Sequence, residues 1–134
     1  MTENELTERI IGSAIEVHRR IGPGLLESIY AECMAMELTL RGVRFQREVP
    51  VPVEYRGQRV AAEMKIDLLV DQSVVVELKA VERLLPVHDA QLLTYLRLTH
   101  RSVGLLINFN VPVLKSGLRR LVNNFNLCAS ASLR

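Results

Sequence analysis

Apolar residues recur at steps of three and four through the first forty positions, and then the pattern changes to alternation. Leu6, Ile10, Ile11, Ala14, Val17 and Ile21 mark one face of a helix, and Thr2 or Asn4 is placed to cap it. Gly22-Pro23-Gly24 breaks or sharply bends the chain. A second helix is predicted from about Leu25, with Leu26, Ile29, Cys33, Met36 and Leu40 as its apolar stripe and Gly42 as its terminator. Over 45–55, Phe45, Arg47, Val49, Val51, Val53 and Tyr55 alternate with Gln46, Glu48, Pro50, Pro52 and Glu54, which predicts a strand at a sheet edge. Arg56-Gly57-Gln58 reads as a hairpin turn into a strand over 59–70. After the turn Asp71-Gln72-Ser73, the run 74–80 is apolar on both faces, as a central strand is. Beyond Pro86 follow a helix over about 88–98, a strand over 103–109, a last helix over 112–124 opened by Pro112, and a frayed tail over 126–134. This order predicts an α/β layer on a mixed four-stranded sheet, its fourth strand reached by a helical crossover.

Composition narrows the class. The chain has 134 residues, 49% hydrophobic and 24% charged, which suits one domain over 1–134 with its core at about 5–125. No apolar run is long enough to span a bilayer, and the acidic, polar start is unlike a signal peptide, so a soluble cytoplasmic protein is expected. Cys33 and Cys128 form no Cys-x-x-Cys or Cys/His cluster, and Cys33 reads as a small core residue. The net charge of +2 hides an asymmetry: all 15 acids lie within 1–89, while 90–134 holds six cations and no acid. The last third therefore presents either a solvated basic face or a surface for an anion.

The central strand carries Glu77 and Lys79 among Val and Leu, two positions apart and so on one face. Buried charge costs several kcal/mol unless paired or bound to a metal. If Asp71-Gln72-Ser73 is a three-residue loop, Val70 pairs with Val74 and Asp67 falls opposite Glu77. Two carboxylates that close repel, and a divalent cation between them removes the repulsion. A Glu77–Lys79 ion pair with Asp67 at a turn accounts for the same spacing, and a two-residue loop would put Asp67 on the other face.

Asp67, nine residues, then Glu77-Leu78-Lys79 resembles the PD-(D/E)XK nuclease motif, and Gly24-Leu25-Leu26-Glu27-Ser28-Ile29-Tyr30 is similar to the GxxExxY signature of one small family in that superfamily. The tracts 17–24, 76–80, 91–97 and 104–109 resemble blocks of the same family, so the likeness covers about 5–125. The proline of the superfamily name is missing, since Lys65-Ile66 precedes Asp67, and His100 and Asn110 stand where glycine is expected.

The resemblance implies a restriction-endonuclease-like domain and a Mg²⁺- or Mn²⁺-dependent nuclease acting on nucleic acid, DNA ahead of RNA. It implies that Asp67, Glu77, the Leu78 carbonyl and Glu27 hold the metal, that Lys79 assists the attacking water, that Gln91 joins the catalytic group by positioning Lys79 or the phosphate, and that Tyr95 supports it. His88, Gln91 and Tyr95 share a helical stripe. Arg97, Arg119 and Arg120 are candidate substrate cations. Tyr30 is read as a packing and hydrogen-bonding residue beside Glu27, and His18 as a structural histidine or an added metal-site group. The other reading is a non-catalytic nucleic-acid-binding or regulatory module on the same fold. The stripe from Leu26 to Leu40 and the 45–55 edge strand offer a homodimer surface.

Overall fold

The computed structural model describes residues 1–60 and 64–123. Helix α1 (Glu3–Ile21) starts at a capping box: the Glu5 amide donates to Thr2 Oγ1 and the Thr2 amide to the Glu5 carboxylate. It ends at Gly22, whose φ of 69° suits glycine. Then follow α2 (Glu27–Leu40), β1 (Phe45–Pro50), β2 (Val53–Tyr55), β3 (Gln58–Val60), β4 (Lys65–Val70), β5 (Val74–Lys79), α3 (Pro86–Thr99), β6 (Val103–Asn108), a 3-10 turn (Leu114–Gly117) and β7 (Leu118–Val122).

The main sheet has five strands in the order β1-β4-β5-β6-β7. β5 and β6 are parallel, joined across one face by α3, and the other neighbours are antiparallel. Side chains from the two faces form two cores. Leu6, Ile10, Ala14 and Val17 of α1 and Tyr30, Met34 and Leu38 of α2 pack on Leu68, Val76, Leu78, Leu105 and Ile107. On the other face Leu92, Tyr95 and Leu96 of α3 pack on Ile66, Leu69, Val75 and Leu106. No described helix is long and apolar enough to cross a membrane.

Four elements differ from the sequence expectation. The predicted 45–55 strand breaks at Val51-Pro52, the predicted 59–70 strand is divided between β3 and β4 in different sheets, and β2 and β3 form a separate two-stranded hairpin. α2 turns a different face inward. Tyr30, Met34 and Leu38 are buried, while Leu26 and Leu40 of the expected stripe are 72% and 79% exposed. The helix is apolar on two adjacent faces, and tertiary contact decides between them. Tyr30 stacks on Phe109 with ring centroids 4.4 Å apart, a pairing far apart in sequence.

The predicted last helix is instead the 3-10 turn and the edge strand β7, which makes the sheet five-stranded rather than four. Pro112 suggested a helix start, but Gly117 interrupts it. The chain there passes so close to β6 that a Cβ on Gly117 would lie 2.1 Å from the Asn108 carbonyl oxygen. The frayed tail and Cys128 lie outside the described residues. Gly117→Ala should therefore lower the urea unfolding midpoint, at a cost of about 1–3 kcal/mol. An unchanged midpoint would show that the β6–β7 connection is not built on this contact.

Candidate active site

The β4–β5 ladder pairs Val70 with Val74, Leu69 with Val75 and Leu68 with Val76, the register that a three-residue loop predicts. The loop is tight: Asp71 and Gln72 both take left-handed φ values, 50° and 57°. One step beyond Leu68 and Val76 the backbone ladder gives way to side chains. The Asp67 amide donates to Glu77 Oε2 at 2.8 Å, and the Leu78 amide donates to Asp67 Oδ2 at 2.8 Å. Each carboxylate thus accepts from the opposite strand's backbone and keeps its second oxygen out of these bonds.

The pleat is irregular at the same point. Leu68 and Val70 join the α1–α2 core and Leu69 the α3 core, but Ile66, which strict alternation would place with Leu68, packs with Leu69. On the other side of β4, Arg47 pairs with Leu68 and Val49 with Ile66. That leaves Glu48 level with Asp67, at a left-handed φ of 48°.

Glu77 is 3% exposed. Its carboxyl is pushed up to about 8, first by burial and then by the charge of Asp67, with the Asp67 amide and Lys79 opposing. Burial also raises Asp67, against the Leu78 amide and Lys79, and Glu48 adds a like charge. Glu27, at the first residue of α2, is raised by desolvation and by Asp67, and Lys79 opposes. The Tyr95 hydroxyl is raised by burial and by the charges of Glu77 and Asp67. These mutual effects place Glu27, Asp67, Glu77, Lys79 and Tyr95 in one electrostatic neighbourhood.

Two supports shape it. Lys79 Nζ donates to Gln91 Oε1 at 3.2 Å, and Gln91 Nε2 donates to the Tyr95 hydroxyl at 3.3 Å, so one turn of α3 steers the lysine. The Tyr30 hydroxyl donates to the Gly22 carbonyl at 2.6 Å and accepts from the Leu25 amide at 3.2 Å. It pins the Gly-Pro-Gly turn that delivers Glu27.

Other sequence candidates have different surroundings. His88 Nδ1 accepts the Leu85 amide at 2.9 Å and closes the start of α3. His18 Nε2 bonds the Val111 carbonyl at 2.7 Å, tying α1 to the segment after β6; since a carbonyl only accepts, that nitrogen carries the proton. Arg97 is exposed in the last turn of α3. Arg119 and Arg120 are neighbours on a strand rather than a helix and so point to opposite faces. Arg119 pairs with Asp89 at 2.5 Å and Arg120 bonds Asn4 at 3.1 Å. They form no common basic patch.

Sequence reasoning missed two residues. Glu48 carried no motif; only its level with Asp67 marks it. Asn108 is buried at the end of β6, level with Lys79. Its side chain accepts the Val81 and Asn110 amides and donates to the Val81 carbonyl, while the Phe109 amide donates to the Lys79 carbonyl. This bracket fixes the chain as it leaves Lys79. An amide side chain closing an otherwise apolar strand was the available signal.

Among the described residues, no three acidic, histidine or cysteine side chains converge closely enough to hold an ion unaided. Mg²⁺ commonly takes only one or two protein carboxylates and keeps several waters. A buried carboxyl pushed up to about 8, a half-buried carboxylate across from it, the Leu78 carbonyl next to Glu77 in sequence and Glu27 nearby fit such an ion.

Searches among curated proteins and among solved structures gave no match. The family model of the PD-(D/E)XK nuclease superfamily matches residues 4–121. The five-stranded mixed sheet with helices on both faces is consistent with the restriction-endonuclease-like fold of that group. This chain belongs to the PD-(D/E)XK nuclease superfamily.

Proposed function

We propose that the protein is a metal-dependent nuclease that hydrolyses phosphodiester bonds of DNA, in the narrower GxxExxY group of its superfamily. The observation that carries this is the exchange between Asp67 and Glu77 across β4 and β5, with Lys79 two residues beyond Glu77 on the same strand and held by Gln91. Asp67, Glu77 and the Leu78 carbonyl hold Mg²⁺ or Mn²⁺, and Glu27 completes the site from α2. A divalent cation there supplies a Lewis acid for a phosphoryl oxygen and lowers the pKa of bound water. Lys79, turned by Gln91, presents its remaining N–H donors to the scissile phosphate and the attacking water. Tyr95 buttresses Gln91, and Tyr30 fixes the turn before Glu27.

A second copy pairs through α2 in this reading. Leu26, Ile29, Cys33, Met36 and Leu40 repeat at steps of three and four, the spacing of a two-helix seam. The acids beside them are neutralised within the chain, Glu32 by Arg47 and Glu37 by Arg41, so two copies meet without like-charge repulsion.

Wild-type protein should cleave DNA in Mg²⁺, and Lys79→Ala should lose about 10²–10⁴-fold in rate. A panel of single- and double-stranded DNA and RNA checks this. Equal cleavage by both proteins would assign the activity elsewhere. Calorimetry that finds no Mn²⁺ bound at Asp67 and Glu77 would favour the non-catalytic binding module.

The raised Glu77 pKa sets a pH dependence with a definite sign. The folded protein holds this proton more tightly than the unfolded chain, so the stabilisation is complete below the ordinary value of 4.5 and is lost as pH rises to about 8. In chelator, the thermal midpoint should fall across that window, Glu77→Gln should flatten the fall, and saturating Mn²⁺ should oppose it. A midpoint independent of pH in chelator contradicts this. In sedimentation, wild type should be dimeric and Met36→Glu/Leu40→Glu monomeric. A monomeric wild type overturns the α2 pairing.

A further inference from the structure

The cations that face a polyanion need not be those most numerous in the sequence. Many arginines are already occupied. Arg19 and Arg20 pair with Glu16, Arg41 with Glu37, Arg47 with Glu32 and Arg119 with Asp89. Arg101 bonds Gln72 and Thr99, and Arg120 bonds Asn4. Among the described residues, the side chains of Arg56, Arg59, Lys65, Arg83 and Lys115 make no ion pair or hydrogen bond to these elements.

Topology puts those five at one end of the sheet. β5 and β6 run parallel with Lys79 level with Asn108, so the segments that follow them, with Arg83 and Lys115, leave from the Lys79 end. β4 runs the other way and begins with Lys65 at that same end, paired with Pro50 of β1. From there the chain continues outward as an arm. The Val51 amide donates to the Met64 carbonyl at 2.8 Å, and then β2 and β3 pair Val53 with Val60 and Tyr55 with Gln58. Its tip, Arg56-Gly57, takes left-handed φ values of 52° and 81°, the geometry of a tight two-residue hairpin. At about 3.3 Å per residue, the arm reaches at most roughly 23 Å beyond Pro50. Tyr55 is 68% exposed, and all of β3 is exposed. Glu54 stands opposite Arg59 in the hairpin without closing an ion pair. The unpaired cations Arg9, Arg44 and Arg97 lie toward the other end, Arg9 in the first half of α1, which starts where Glu3 accepts from Ser102 just before β6, Arg44 just before the Phe45–Val70 pair and Arg97 where α3 finishes its return.

We propose that the β2–β3 hairpin is a substrate arm. Arg56, Arg59 and Lys65 grip the phosphodiester backbone of a nucleic acid beside Asp67 and Glu77, Arg83 and Lys115 contact the same strand from across the site, and the Tyr55 ring stacks on the sugar–base face. This rests on the nuclease reading and moves substrate binding away from Arg97, Arg119 and Arg120. Phosphate contacts dominate nucleic-acid affinity and make it fall with salt, and exposed aromatics add sequence-tolerant stacking.

The test is fluorescence anisotropy of a labelled DNA duplex with the full chain in Ca²⁺, over a salt series. Arg56→Glu/Arg59→Glu should weaken binding by at least about tenfold and reduce the slope of log K against log salt by roughly two. Arg9→Glu/Arg44→Glu, the same charge change away from the site end, should shift affinity much less. Arg56→Gln/Arg59→Gln, with its thermal midpoint measured alongside, separates lost contacts from misfolding. Equal weakening by the two charge-reversed pairs, or wild-type affinity in the arm variants, overturns the arm while leaving the nuclease reading intact. A wild type that binds no nucleic acid overturns both.

Discussion

Two carboxylates, Glu77 buried and Asp67 half-buried, face one another where β4 and β5 part, and each is held by a backbone amide of the other strand. Apolar burial alone would never place them there, because desolvating an ionised carboxylate costs several kcal/mol. The arrangement is tolerable because two amides and Lys79 offset part of the cost and because burial and the charge of Asp67 push the Glu77 carboxyl up to about 8, which favours its neutral form. Much of the surrounding architecture serves this one constraint. β5 is buried along nearly its whole length, so the strand is rigid where it carries the acid. α3 supplies Gln91 and Tyr95 from above, and Asn108 holds the chain at Val81, just after Lys79.

The acids most clearly tied to the site were also the most legible in the sequence. A run of valines containing Glu77 and Lys79 announces a central strand with a charge problem, and a three-residue loop then counts Asp67 into place. These inferences use only local spacing. α1 was legible for the same reason, since a single apolar stripe has one way to be buried.

What stayed hidden depends on contacts between distant parts of the chain. α2 has two apolar stripes, and its own pattern cannot say which one meets the sheet; the Tyr30–Phe109 stack decides. β7 was read as a helix because Pro112 is a good helix start, whereas the close approach of Gly117 to the Asn108 carbonyl is visible only in three dimensions. The excess of arginine in the last third is compatible with a solvated face or with a surface for an anion, and counting charges cannot separate them because it ignores partners. Asp89 and Asn4, from other elements, already engage Arg119 and Arg120.

The Tyr30–Phe109 stack also has a bearing on when the acidic site comes into being. Tyr30 secures the turn before Glu27, yet its own seat is a ring near the end of β6, and His18 likewise waits for the Val111 carbonyl. Contacts this distant in sequence form late, because closing so long a loop is costly before many other contacts repay it. During synthesis, which runs from the N-terminus, Glu27 emerges well before Phe109 and Val111, the residues on which Tyr30 and His18 are seated. The Asp67–Glu77 exchange needs only β4 and β5, whereas the turn before Glu27 waits for the segment after β6, which acts as the latch that completes the acidic group.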